Sequence, residues 1–231
     1  MKVKKVIDDI EKNKYTFLSQ RSHLSEFSIR NQLNDIKKLQ FFLDKNKSET
    51  LDIYLIRKFI SELNRKISKK SIRRIISILR TFFEFLLVEK IIRKNLFKEI
   101  SNPKIEKKLP SVATLDEIDQ MINAIDATDI FALRDKSIIE FIYSAGLRVS
   151  EINKLNIDEV DLKLDQAIIF GKGSKYRSVI FSDYSSKILD NYLKSRKPKN
   201  KNEKAFFLNK SGTRLSIRSI QHIVKKYIIW I

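Results

Sequence analysis

Two short stretches of this 231-residue chain set cations beside glycines in a pattern that suits phosphate chemistry. The first is Tyr143-Ser-Ala-Gly-Leu-Arg-Val-Ser-Glu151. Gly146 reads as a left-handed cap that stops one helix. Arg148 then opens the next helix, near exposed backbone N–H groups that also favour anions. A guanidinium grips two phosphate oxygens through its planar fork, and Glu151, one turn further on, is spaced to orient it. Taken alone, these residues read first as a glycine cap followed by a surface Arg–Glu pair. The second stretch is Phe170-Gly-Lys-Gly-Ser-Lys-Tyr-Arg177. Gly171 and Gly173 permit a tight turn with Lys172 at its tip and Lys175 and Arg177 behind it. A lysine so carried can reach into a groove or protonate a leaving oxygen. Taken alone, it is also an ordinary charged hairpin.

Other chemistries find no support in the residues. The hairpin is no Walker A loop, because Gln166 stands where that motif needs its first glycine. It lacks the third glycine and following helix of a dinucleotide fingerprint. Without cysteine there is no disulfide framework, thiolate zinc site or thiol nucleophile. His23 and His222 are far apart and have no metal-ligand spacing. Asp158, Glu159 and Asp161 cluster at a strand start without a histidine near them, a poor basis for a metal site. No metal and no cofactor are expected.

The elements that must hold these residues follow from periodicity. No proline precedes Pro103 and no glycine precedes Gly146, so the first hundred residues read as helices. Apolar residues recur at helical spacing in Ile29–Leu43 and Ile56–Ile67, and over four turns in Ile72–Leu87. With a weaker helix over 3–18, this predicts a four-helix domain over 1–100. The helix beginning near Lys69 has a basic opposite side, with Lys70, Arg73 and Arg80 on one face and Lys69 and Arg74 flanking it. Such a face suits a DNA backbone and is equally an ordinary solvated helix face. Residues 101–112, with Pro103 and Pro110 around a charged middle, read as a linker. Beyond it, Thr114-Leu-Asp-Glu117 has capping-box spacing and opens a helix over 115–126. Further helices are predicted over 131–145, 149–155, 183–195 and from 216. Short strands are predicted at 160–162, 166–170, 176–181 and 205–208. The fold class is therefore mainly α, with a second domain over 113–231 that is mostly helical and carries a small antiparallel sheet.

Composition adds a partner. Lys and Arg outnumber Asp and Glu by 47 to 28, for a net charge of +19. Residues 1–108 hold 27 cations against 13 anions, and residues 109–231 hold 20 against 15. A lysine-rich genome inflates such a figure, yet the concentration of charge in the helical half favours nucleic acid. No apolar run approaches membrane-spanning length, and the first residues lack a signal-peptide core. A cytoplasmic protein without a membrane partner is expected.

In combination, Ala145-Gly-Leu-Arg148-Val-Ser-Glu151 and Gly171-Lys172-Gly173-Ser-Lys175-Tyr-Arg177 resemble the tyrosine recombinase (phage integrase) family, most of all its Xer-type members that resolve chromosome dimers. The order of parts is similar too: a SAM-like core-binding domain, a linker, and a mostly helical catalytic domain. The resemblance implies that Arg148 clamps the scissile phosphate, that Lys172 is the general acid toward the 5′ oxygen, and that Glu151 supports the arginine. Beside these roles, the basic helix face and the hairpin cations make Lys69, Lys70, Arg73, Arg74, Arg80, Lys175 and Arg177 the expected DNA contacts. The resemblance further implies double-stranded DNA as partner, a second recombinase protomer, and strand breakage and rejoining through a 3′-phosphotyrosyl intermediate, with no metal or small-molecule cofactor.

One part of the family pattern is missing. A His-x-x-Arg pair and a later nucleophilic Tyr belong downstream of Ser219–Tyr227, yet His222 is followed at that spacing by Lys225 and Tyr227 comes too early. The chain ends in the apolar run Ile228-Ile-Trp-Ile231. The expectation is a C-terminally truncated recombinase that binds DNA and is inactive alone. The alternatives are a non-catalytic DNA-binding regulator or a gene remnant.

Overall fold

The computed structural model describes residues 1–46, 48–105, 113–171 and 175–228. The hairpin tip with Lys172, the middle of the predicted linker and the last three residues of the terminal apolar run therefore lie outside the described residues. The chain divides into two compact units, Met1–Leu109 and Pro110–Ile231.

The first unit contains α1 (Val3–Ser19), α2 (Glu26–Asn46), α3 (Ile53–Asn64) and α4 (Lys69–Val88), followed by a 3-10 turn at Leu96–Glu99. Polar side chains set the helix starts. Asp52 accepts the Leu55 N–H at 2.8 Å before α3, and Ser68 accepts the Ser71 N–H at 3.3 Å before α4, each satisfying a donor that the helix itself leaves unpaired. The α4 stripe is buried throughout, at Ile72, Ile75, Ile76, Leu79, Phe82, Phe83 and Leu86. Its aromatic rings meet Phe17 of α1 (5.1 Å from Phe82) and Phe97 of the 3-10 turn (4.8 Å from Phe83), both edge to face. Removing one such ring costs about 3–5 kcal/mol, so α4 is the axis of this core.

The second unit contains α5 (Leu115–Asn123), α6 (Ile130–Ser144), α7 (Val149–Lys154), β1 (Val160–Asp161), β2 (Gln166–Phe170), β3 (Tyr176–Ile180), α8 (Asp183–Ser195) and α9 (Ile217–Ile228). The Thr114–Glu117 capping box is formed, with Glu117 N–H donating to Thr114 Oγ1 at 3.3 Å and Thr114 N–H to Glu117 Oε2 at 2.7 Å. The three strands form one antiparallel sheet in the order β1-β2-β3, with Ala167 opposite Val179 and Phe170 opposite Tyr176. Alternate β2 residues, Ala167 and Ile169, are buried in a core with Phe141 of α6, Phe181, Leu189 and Phe206.

The predicted strand at 205–208 is not a strand. It makes only single bridges, Asn156 with Ala205 and Leu208 with Arg214. All four side chains are buried, so the alternation a half-buried strand needs is absent. Its backbone is satisfied piecemeal instead. Phe206 N–H donates to Leu155 O at 2.9 Å, Leu208 N–H donates to Tyr192 Oη at 3.0 Å, and the Arg196 guanidinium donates to Ala205 O at 2.8 Å. Among the described residues, no helix is long and apolar enough to cross a membrane.

Candidate active site and nucleic-acid interface

The turn between α6 and α7 places Arg148. Gly146 has φ +59°, a conformation that costs a residue with a Cβ roughly 1–2 kcal/mol. Leu147 N–H then reaches back to Ile142 O at 3.0 Å and the Leu147 side chain is buried, so the reversal is locked from both sides. Arg148 is left in extended geometry as the cap of α7.

Glu151 is the hub of the site. Its side chain is 3% exposed. Oε2 accepts the Arg148 backbone N–H at 2.8 Å, and Oε1 accepts Arg148 Nη1 at 3.0 Å. Arg177 of β3 grips the same carboxylate with both terminal nitrogens, at 2.7 Å and 3.0 Å. One buried anion thus ties α7 to the hairpin strand. The Arg177 hydrogen bonds, aided by those from Arg148, outweigh burial and hold the Glu151 carboxyl down at about 2. The same contact pushes the Arg177 guanidinium above its ordinary value. The Arg148 side chain remains 65% exposed. Its other guanidinium donors make no hydrogen bond among the described residues, which suits an arginine that is aimed from behind and presents its fork outward.

Gly171 closes the arrangement. A Cβ there would stand 3.0 Å from Arg177 Nη1 and 3.4 Å from Glu151 Oε1, so the backbone entering the hairpin passes against the ion pair. Lys172 comes directly after it in sequence but lies outside the described residues, and Lys175 is exposed on the far side of the turn. Lys154, at the end of α7, places Nζ 4.9 Å from the Phe170 ring centre, and Phe170 packs on Tyr176 at 5.1 Å. Lys154 is not among the residues that the sequence motifs singled out; its spacing of six from Arg148, along a helix ending beside the hairpin, was the available signal.

In the first unit the predicted basic face divides. Lys69, Lys70 and Arg73 are exposed. Arg74 turns to Asp35 of α2, a carboxylate buried to 1% side-chain exposure that also takes Lys38 Nζ at 3.0 Å. Arg80, half-buried on the same helix, holds two backbone carbonyls. Its Nε donates to Phe97 O at 3.1 Å and its Nη2 to Ile100 O at 2.7 Å. Those carbonyls end the 3-10 turn and need donors, so Arg80 fastens that turn to α4. Arg177 is paired with Glu151 and keeps 38% of its side chain exposed. No group of three or more His, Asp and Glu side chains suited to a metal occurs among the described residues.

The chain thus pairs a helical bundle with a second, mostly helical unit whose small sheet carries Arg177 against the buried Glu151, from which the Arg148 side chain extends outward. Residues 111–229 match the phage integrase family, and residues 13–90 match the N-terminal SAM-like domain of phage integrases. Tyrosine recombinase XerC of Syntrophus aciditrophicus is 30% identical, over 96% of this chain and 77% of its own length. Tyrosine recombinase XerD of Staphylococcus epidermidis is 34% identical, over 91% and 74%. Among solved structures, a lambda integrase dimer bound to a COC′ core site superposes with a TM-score of 0.73 at 14% identity, covering 95% of this chain and 79% of that one. The Tn1549 transposon integrase in complex with circular intermediate DNA gives 0.69 at 16%, covering 96% and 79%. The chain belongs to the phage integrase family of site-specific tyrosine recombinases and, within it, to the Xer type.

Proposed function

We propose that residues 1–231 grip double-stranded DNA and clamp a phosphodiester for strand exchange, with Arg148 as the clamp, Glu151 and Arg177 as its anchor, and Lys172 as the proton donor to the 5′ oxygen. The observation that carries this reading is the exposed Arg148 fork braced on a buried, doubly paired carboxylate. As a nucleophile adds to the phosphorus, negative charge grows on the equatorial oxygens. A guanidinium already fixed in place stabilises that charge without reorganising. The lambda and Tn1549 integrase structures are complexes with DNA, and the exposed Lys69, Lys70 and Arg73 give the first unit a face of the right sign.

The family's chemistry passes through a 3′-phosphotyrosyl intermediate, which stores the phosphodiester energy and needs no added energy source. Residues 1–231 contain no His-x-x-Arg pair followed by a tyrosine. This polypeptide by itself is therefore expected to bind duplex DNA without cutting it, and a partner protomer is the second component of any exchange. The test is a nicked suicide substrate carrying an Xer-type recombination site. DNA retention that weakens on Arg148→Ala, without a covalent protein–DNA adduct, supports the reading. A covalent adduct formed by this polypeptide refutes the inactivity. A second reading is a DNA-binding regulator that competes with an intact recombinase. It requires that Arg148→Ala leave the biological output unchanged while reversal of Lys70 and Arg73 abolishes it.

A further inference from the structure

A groove of about 560 Å³ runs between α2 and α3 of the first unit. Its floor is the buried pair Phe42 and Phe59, whose rings meet at 5.1 Å. Leu63 and Ile67 form one wall, and Phe41 forms the lip of the other with its side chain 71% exposed. Large apolar groups left on view in a groove mark interaction sites more often than lone surface residues do. The α2 wall is a straight stripe at helical spacing from Asn34 to Lys45, about 16 Å long at 1.5 Å per residue. That is the length of a three-turn helix.

The charge around the groove selects the occupant. Lys37, Lys38, Lys45 and Lys66 line it against a single carboxylate, Glu62. Lys38 shares Asp35 with Arg74, while Lys45 and Lys66 stand on opposite walls with no ion pair among the described residues. DNA would meet the lysines but has no apolar surface to cover Phe41, Leu63 and Ile67. A second copy docking through the same face would set Lys37, Lys45 and Lys66 against their own counterparts. We propose that the α2–α3 groove docks an acidic amphipathic helix of a partner protein, with apolar side chains at i, i+3 or i+4, and i+7 seated over Phe42 and Phe59 and carboxylates facing Lys45 and Lys66.

The probe is a 14-residue helical peptide with Leu at those positions and Glu elsewhere, titrated into the isotope-labelled chain in about 0.1 M salt, where charge still acts over about 10 Å. Two companions carry the controls: one has Ser for each Leu, the other Lys for each Glu. Saturable amide shifts confined to α2 and α3 are expected with the Leu–Glu peptide and with neither companion. Phe41→Glu, at an exposed position that spares the fold, should weaken binding at least tenfold, and Lys45→Glu with Lys66→Glu at least fivefold. Four results overturn the proposal: no saturable binding, equal binding of the Ser peptide, indifference to Phe41→Glu, or a concentration-dependent dimer that Phe41→Glu dissolves. A loss of duplex affinity in the lysine double variant, with peptide affinity intact, would reassign the groove to DNA.

Discussion

Glu151→Gln isolates what the buried carboxylate contributes, because it removes the charge and keeps the shape. The fold holds the Glu151 carboxyl at about 2 against an ordinary value of 4.5. That difference corresponds to at most about 3 kcal/mol of folding free energy at neutral pH. Arg148 and Arg177 are 65% and 38% exposed, so solvent screening reduces the expected loss to about 1–2 kcal/mol. Because folding lowers this pKa, the contribution is complete above the unfolded value near 4.5 and is lost as pH falls toward 2. The assay is urea unfolding of the wild-type chain and the variant, followed by resolved amide signals of α7 and β2, at pH 6.5 and pH 2.5. Other titrating groups cancel in the difference between the two proteins. The stability gap should shrink to about one quarter of its neutral value or less at the lower pH. A gap that stays constant with pH, or a variant more stable than wild type at pH 6.5, would refute the claim that charge on Glu151 fastens the hairpin to α7.

The two basic roles on α4 separate by salt dependence. Lys70→Ala with Arg73→Ala should lower the slope of log affinity for duplex DNA against log salt by about 2 with unfolding unchanged. Arg80→Ala should leave that slope alone and destabilise the first unit by about 1–3 kcal/mol, since Ile100 O loses its donor and Phe97 O keeps only the Ile100 N–H at 3.3 Å. The two left-handed glycines should also differ in thermal unfolding. Gly146→Ala meets nothing within 4 Å and should cost about 1 kcal/mol, whereas a Cβ on Gly212 would stand 2.6 Å from Lys199 N, so Gly212→Ala should cost at least about 2 kcal/mol. Tyr192→Phe leaves the buried Leu208 N–H without its acceptor and should cost about 1–3 kcal/mol by urea unfolding.

Periodicity and punctuation alone were enough for the helices. The α4 stripe from Ile72 to Leu86, the Thr114 capping box and the Gly146 stop are local features, and local chemistry governs them. The pairing of Arg148 with Glu151 was legible for the same reason, since three residues apart on a helix start are neighbours by geometry. Long-range contacts were not. That Arg177 closes on Glu151 across 26 residues, that a Cβ on Gly171 would crowd them, and that Arg80 reaches Phe97 and Ile100 depend on where the chain returns. A helical wheel shows which side of α4 is polar but not what folds over that side. The run 205–208 failed as a strand for the same reason: its composition suits a ladder, but packing buried every side chain and offered single partners instead of a neighbouring strand. The sequence by itself thus determined which residues carry charge and which helices present them. The tertiary structure decided which of those charges are spent on one another and which, Arg148 foremost, still face outward.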